Sequence, residues 1–108
     1  MAYDEALAER IREALEGQAV VEKKMFGGLA FLVGGNMSVA ASGQGGSLVR
    51  VDPDDSERLL AEPGVDEFVM RDRAMRGWLR VEPDVLDEAT LRAWVGRGVA
   101  YARSLPAK

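Results

Sequence analysis

The sequence predicts an α+β fold in which an antiparallel sheet carries helices on one of its faces. Amphipathic helical patterns lie near both ends of the chain, and short alternating segments separated by glycine-rich turns lie between them. The strand–helix–strand repetition typical of parallel sheets is absent from the pattern. The 108 residues, 47% of them hydrophobic, suit one hydrophobic core, so we expect a single domain spanning residues 1–108.

The first helix is predicted between Asp4 and Glu16, where apolar residues recur on one side and charged residues on the other. Asp4 is the predicted N-cap and Gly17 the predicted C-cap. Alternating polarity then predicts a half-buried strand, and three more strand segments follow between glycine turns. These four strands are predicted at 20–26, 29–33, 37–42 and 47–51.

A second helix is predicted to begin at Pro53, carry Leu59 and Leu60 inward and end before Pro63. Two further strands, at 65–70 and 77–82, are joined by the polar segment 71–76. The last helix runs from about Asp87 to Ser104. Its apolar stripe comprises Leu91, Trp94, Val95, Gly98, Val99 and Ala102.

The predicted order is therefore α-ββββ-α-ββ-α, a two-layer sandwich with the helices on one face of the sheet. Trp94 and Tyr101 are interpreted as core or core-edge residues. Two glycines inside the last helix, Gly96 and Gly98, indicate either close packing against another backbone or simple tolerance.

The composition excludes several kinds of chemistry. Cysteine and histidine are both absent, so there are no disulfides, no thiolate nucleophile, no cysteine-ligated zinc and no imidazole general base. Asp52, Asp54 and Asp55 lack the glycine and distal glutamate of a calcium loop and are interpreted as helix-capping residues. We expect no catalytic residues, no metal site and no cofactor.

The glycine-rich segment 25–37 does not form a phosphate-binding loop on this interpretation. Such a loop needs a lysine and a serine or threonine opening a helix, whereas both glycine pairs here lie between predicted strands. The segment is predicted to form turns of a hairpin.

No signal peptide is recognisable in the acidic start of the sequence, and no apolar run approaches the length of about 18 residues that a membrane span needs. We therefore expect a cytoplasmic protein that does not bind membranes. The net charge of -4 disfavours a stand-alone nucleic-acid binder, because such domains normally carry an excess of basic residues.

A local excess of positive charge lies between residues 71 and 80, with Met75 interleaved, and a smaller basic pair lies in the first strand. Guanidinium groups pair bidentately with phosphate or carboxylate groups. Neighbouring strand residues point to opposite faces, so only one of the two adjacent lysines can be on the solvent side if the other covers a rim. The candidate partner-binding residues are Arg71, Arg73, Arg76, Trp78, Arg80, Lys23 and Lys24.

Several segments together resemble one family, the N-terminal domain of TfoX/Sxy competence regulators, and the resemblance covers nearly the whole chain. The segments are Lys23-Lys-Met-Phe-Gly-Gly-Leu-Ala-Phe, Gly35-Asn-Met, Leu48-Val-Arg-Val, Met75-Arg-Gly-Trp-Leu-Arg-Val, Trp94-Val and Tyr101-Ala-Arg-Ser-Leu-Pro. The resemblance implies a small two-layer α/β domain, a role in transcriptional control of competence, and cooperation with a DNA-binding activator. The second domain of the full-length regulators is not expected in this chain.

Three hypotheses follow. The first is a non-catalytic regulatory or adaptor module that binds a protein partner, such as a transcription factor, through the basic residues. The second is direct nucleic-acid binding through the same arginines. The third is a small-ligand binder or enzyme built around Asp72 and Arg73.

An alternative to the first two hypotheses is that the acidic segment 52–67 neutralises the arginines within the molecule. An exposed sheet edge or face would also permit a homodimer.

Overall fold

The structure, a computed structural model, describes residues 3–25, 27–43, 45–70 and 72–106. It contains three α-helices and six β-strands, and two short 3₁₀ turns, Pro53–Asp55 and Pro83–Val85, precede the second and third helices. The helices are α1 (Glu5–Ala14), α2 (Ser56–Leu60) and α3 (Glu88–Ser104). The strands are β1 (Val20–Met25), β2 (Gly28–Val33), β3 (Asn36–Ala41), β4 (Ser47–Arg50), β5 (Val65–Met70) and β6 (Arg73–Val81).

All neighbouring strands pair antiparallel, and the six strands form one sheet with the order β1-β2-β3-β4-β6-β5. The first four strands form a meander. The chain then passes through α2 to the far edge, where β5 turns back into β6, and β6 lies between β4 and β5. The α+β class and the predicted order of elements are confirmed.

The largest difference from the prediction concerns the polar segment 71–76, which was expected to be a connection. Strand β6 already begins at Arg73, because its first residues pair with the end of β5, Ala74 with Val69 and Arg73 with Met70. Backbone pairing within a hairpin does not depend on apolar side chains, so the composition of the segment concealed it. Arg71 itself lies outside the described residues.

Strand β6 bends where it passes from one partner to the other. Its pairing with β5 is irregular around Phe68, and Gly77 adopts a φ of 85°, which favours glycine. The Gly77 N–H donates to the Ser56 hydroxyl over 3.2 Å, and the Val51 N–H donates to the Gly77 carbonyl over 2.7 Å. The beginning of α2 therefore holds the bend in place.

Both long helices begin as the sequence predicts. Asp4 accepts hydrogen bonds from the N–H groups of Ala6 (2.9 Å) and Leu7 (3.2 Å), and Asp87 accepts one from Thr90 (2.8 Å). Helix α1 ends earlier than predicted, with Leu15 as its C-cap. Gly17, with a φ of 89°, lies in the turn that follows and leads the chain towards β1.

The main hydrophobic core lies between the helices and one face of the sheet. All six residues of the predicted stripe on α3 are buried, Trp94 among them at 1% exposure. Alternate residues of the central strands meet the helices. Leu29, Phe31, Val33, Val39, Ala41, Val49, Leu79 and Val81 form this side of the core.

Helix α3 approaches β3 closely at Gly98. A Cβ atom on Gly98 would overlap the Ser38 carbonyl oxygen, whereas a Cβ on Gly96 would meet nothing within 4 Å. Of the two interpretations, close packing therefore applies to Gly98 and simple tolerance to Gly96. Asn36, at the start of β3, donates to the carbonyls of Ala102 (3.4 Å) and Pro106 (3.0 Å) and holds the end of the helix.

An ion pair joins α1 to the edge strand β1. Arg12 donates to both carboxylate oxygens of Glu22, at 2.6 and 2.8 Å, and also to Glu9. These hydrogen bonds favour the charged forms, so the pKa of Arg12 is raised and the pKa of Glu22 is lowered. The pKa of Asp87 is lowered by its hydrogen bond from the Thr90 N–H.

Alanine substitutions at the two helical glycines should have opposite effects. Gly98→Ala should destabilise the domain by about 1–3 kcal/mol, the usual cost of overpacking a close contact. Gly96→Ala should stabilise it by about 0.5–1 kcal/mol, because alanine is the better helix former. Urea unfolding of both variants beside the wild type measures this. Destabilisation of similar size in both would contradict the proposed contact.

The ion pair between Arg12 and Glu22 should make stability depend on pH. A carboxylate with a lowered folded pKa contributes stability above its unfolded pKa, about 4.3 for glutamate, and loses it as the pH falls through the folded value. The urea midpoint of the wild type should fall below about pH 4.3 more steeply than that of Glu22→Gln. Glu13→Gln, at an exposed position without an ion pair among the described residues, is the control and should keep the wild-type slope. Equal slopes in all three proteins would contradict this assignment.

Candidate partner-binding surface

A second apolar cluster lies on the face of the sheet opposite the helices, and the members that the structure describes all come from strands. Its buried residues are Ala30, Met37, Ala40, Leu48 and Phe68, and the half-buried Met25, Leu32, Met75 and Trp78 pack against it. Met25 comes from the edge strand β1 and Phe68 from the opposite edge strand β5. The cluster therefore extends across the sheet from one edge strand to the other. We call this side the helix-free face.

Strand pairing places each candidate residue on one face, because directly opposite residues of an antiparallel pair project to the same side. Lys23 lies opposite Ala30 of the second cluster, whereas Lys24 lies opposite Leu29 of the main core. Arg80 lies opposite Leu48, which also belongs to the second cluster. Lys23 and Arg80 are therefore on the helix-free face, and Lys24 is on the helix side.

The remaining candidates on β6 divide in the same way. Trp78 packs against the second cluster directly, and Arg73 precedes Met75 by two residues, so strand alternation places it on the helix-free face. Arg76 instead faces the helix side, where its guanidinium lies 3.8 Å from Asp54. The structure thus places Lys23, Arg73, Trp78 and Arg80 on the helix-free face, Lys23 on edge strand β1 and the other three on β6, and places Lys24 and Arg76 on the helix side.

Neither of the two lysines in β1 is buried against a rim of the fold. Lys23 and Lys24 point to opposite faces as expected, yet both are exposed. The reason is that β1 is an edge strand and is exposed along most of its length on both faces, including Val21 at 66%.

Of the candidate arginines that the structure describes, Arg76 is the one that the acidic segment 52–67 neutralises most. Arg76 shares a recess with Glu57 and Glu67 as well as facing Asp54, although its side chain stays 71% exposed. Arg80 is half-buried and donates to Glu82 over 3.0 Å. Arg73 is exposed and forms no ion pair with any residue that the structure describes.

The sequence did not single out Arg50, which the structure places on the same surface. Its guanidinium lies 5.1 Å from the centre of the Trp78 ring and 5.5 Å from that of Tyr101 on α3. Arg50 therefore covers the Trp78 ring and links helix α3 to the edge of the helix-free face. The alternation in Leu48-Val-Arg-Val, which places Arg50 beside Leu48, was the available signal.

Charge is distributed unevenly between the two layers. The strands carry six basic residues and three acidic ones, although the whole chain has a net charge of -4. The three acidic strand residues are Glu22, Asp66 and Glu67. Of these, Asp66 lies opposite Arg80 and is on the helix-free face. That face is consequently basic at its rim and apolar at its centre on a protein that is acidic elsewhere.

The remaining candidate features concern metal binding, small-ligand binding and membrane-spanning helices. Within them, no group of three or more acidic residues is placed to hold a metal ion. Asp72 and Arg73, the residues of the small-ligand hypothesis, lie at the exposed turn between β5 and β6. The cleft between α2 and α3 contains Arg58 and Arg97, but they pair with Asp55 (3.2 Å) and Glu62 (3.3 Å). Over the described part of the chain, no helix combines the length and apolarity needed to cross a membrane.

The fold and the surface together define a small α+β domain with one helix-covered and one open, basic and apolar sheet face. Residues 5–102 match the family model described as the TfoX N-terminal domain. The chain belongs to this family. A comparison with curated proteins and a comparison with solved structures each give no match.

The contact of Arg50 with Tyr101 should contribute measurably to stability. A double-mutant cycle of Arg50→Met and Tyr101→Leu should give a coupling of about 0.5–1 kcal/mol, the size of a partly exposed cation–π contact. Urea unfolding of the four proteins measures it. The same cycle of Arg50→Met with Arg92→Met, which pairs with Glu88 instead, is the control. Equal couplings in the two cycles would contradict a specific contact.

Proposed function

We propose that this protein is a non-catalytic regulatory module that binds a protein partner through the helix-free face. The observation that carries the proposal is the placement of Lys23, Arg73, Trp78 and Arg80 on one sheet face that carries no helix among the described residues and exposes part of its apolar side chains. Arginine and tryptophan are enriched where protein interfaces derive most of their energy. An apolar centre with a charged rim is the usual anatomy of such interfaces.

The family supports the regulatory part of the proposal. TfoX N-terminal domains are associated with competence regulation and are generally regulatory rather than enzymatic. We infer that the partner is a component of transcriptional control, such as a transcription factor. The protein would then act by binding and positioning that partner.

Nucleic acid is the less favoured partner. Phosphate contacts dominate nucleic-acid affinity, and a net charge of -4 opposes them outside the helix-free face. Base stacking needs an open aromatic ring, whereas the Arg50 guanidinium lies over Trp78. The half-exposed Met25, Leu32 and Met75 fit a protein surface better than a phosphate backbone.

Two double variants with the same change in charge test the proposal. Lys23→Ala with Arg73→Ala removes two cations from the helix-free face, and Lys24→Ala with Arg76→Ala removes two from the helix side. Affinity capture from a lysate of the source cells should retain a partner on the wild type and on the second variant. The first variant should capture at least about fivefold less of this partner, because charges at the rim of an interface contribute up to about 1 kcal/mol each.

The same variants distinguish the other hypotheses. Equal capture by both variants would refute the assignment of the surface. A gel shift with duplex and single-stranded DNA at low salt, lost steeply as the salt concentration rises, would favour nucleic acid instead. A saturable thermal shift with a nucleotide or metabolite would favour the small-ligand hypothesis. Expression of each variant in a strain lacking the protein, followed by transcript profiling, tests the regulatory role.

A further inference from the structure

The chemistry of the helix-free face restricts what it can bind. We propose that this face binds an acidic amphipathic segment of a protein partner, with bulky apolar side chains on one side and carboxylates on its flanks. The inference rests on the proposed function and adds the chemical class of the partner. Its basis is the arrangement of apolar, small and basic residues on this face.

The centre of the face is built from small residues beneath flexible ones. Ala30 and Ala40 lie directly opposite each other on β2 and β3, and both are almost completely buried although no helix residue belongs to their cluster. The longer side chains that pack against this cluster therefore cover them. Two of these are Met25 and Met75, both half-buried. Methionine side chains adapt readily to the shape of an apolar ligand, so this layer can rearrange around one.

The rim determines the charge of the partner. Lys23 lies at the β1 side of the face and Arg73 and Arg80 at the β6 side, with Arg50 beside Trp78. Two acidic residues lie among them: Asp66, opposite Arg80, and Glu82, which accepts a hydrogen bond from Arg80 over 3.0 Å. Carboxylates on an apolar segment would meet cations on both flanks, whereas the acidic remainder of the protein repels them. Charge complementarity thus selects both the class of segment and the place where it binds.

A second copy of the chain fits this face poorly. A symmetric contact between two helix-free faces would place two surfaces of the same positive charge against each other, because both copies contribute the same patch. Like charges in a desolvated contact are unfavourable. Lysine along β1 also discourages pairing of two edge strands, which is a common use of this residue in natural sheets.

Binding of defined peptides tests the proposal on the full chain. The probe is a fluorescein-labelled peptide of about 15 residues, or roughly four helical turns, with leucine on one helical face and glutamate on the other. One comparison peptide replaces glutamate with lysine, and another replaces leucine with serine. Fluorescence anisotropy should show saturable binding of the acidic amphipathic peptide and about tenfold weaker binding, or none, of the other two.

Methyl NMR locates the binding site. The chain has five methionines, and ¹³C-methyl labelling gives one signal for each, assigned by single Met→Leu variants. Binding of the acidic amphipathic peptide should shift the signals of Met25 and Met75. Saturable binding that shifts neither Met25 nor Met75 would overturn the assignment of the face.

Lys23 and Lys24 provide a matched pair of variants. Both are exposed and adjacent in β1, but only Lys23 lies on the helix-free face. Lys23→Glu should weaken binding of the acidic peptide roughly three- to tenfold, and Lys24→Glu should change it by less than about twofold. Equal weakening by both would mean that net charge alone attracts the peptide, and it would overturn the proposal. Stronger binding of a single-stranded oligonucleotide of equal charge would overturn it in favour of nucleic acid.

The experiments can refute the proposed function and the inferred chemistry of the partner independently of each other. If capture of a partner depends on Lys23 and Arg73 while the acidic peptide binds no better than its serine counterpart, the inferred chemistry is wrong and the proposed function stands. If the peptide binds as expected but no captured protein depends on these residues, the proposed function is wrong, whereas the preference of the face for acidic apolar segments stands.

Discussion

The close approach of α3 to β3 at Gly98 is the contact on which the layered structure depends. Because no side chain separates the helix from the Ser38 carbonyl there, Trp94 and the other apolar residues of α3 reach the centre of the sheet. Asn36 holds the far end of the helix by hydrogen bonds to two carbonyls. Helix α1 packs beside α3 on the same face. One side of the sheet is thereby filled by helices, and the other must bury its apolar residues by different means.

On the helix-free face, the described residues that bury this apolar surface all belong to strands. Residues from both edge strands belong to one cluster, and alanines at its centre leave room for the longer side chains above them. Burial remains incomplete, since Met25, Leu32, Met75 and Trp78 keep part of their surface in solvent. Apolar surface that the fold cannot cover is available to a partner, which is why we place the function on this side.

Electrostatics distinguishes the same two sides. The helix layer uses its charges internally, as in the pairs of Arg12 with Glu22 and of Arg97 with Glu62, whereas Arg73 on the helix-free face faces solvent. Arg50 connects the two layers because its guanidinium contacts rings from both, Trp78 on β6 and Tyr101 on α3. The resulting contrast between a basic open face and an acidic remainder, on a protein of net charge -4, is the basis of our proposal that this face binds acidic partners.

The sequence by itself determined the α+β class, the order of the elements and the buried stripe of α3, because hydrophobic periodicity and capping residues such as Asp4 and Asp87 are local signals. It also named Lys23, Arg73 and Arg80 as candidates, together with Lys24 and Arg76, but not Arg50. Only the tertiary structure decided how these residues are divided between the two faces. Lys23 and Lys24 are neighbours in sequence yet lie on opposite faces, whereas Lys23 and Arg73 share a face although they belong to different strands. Strand order and register arise from long-range pairing, which no local pattern encodes.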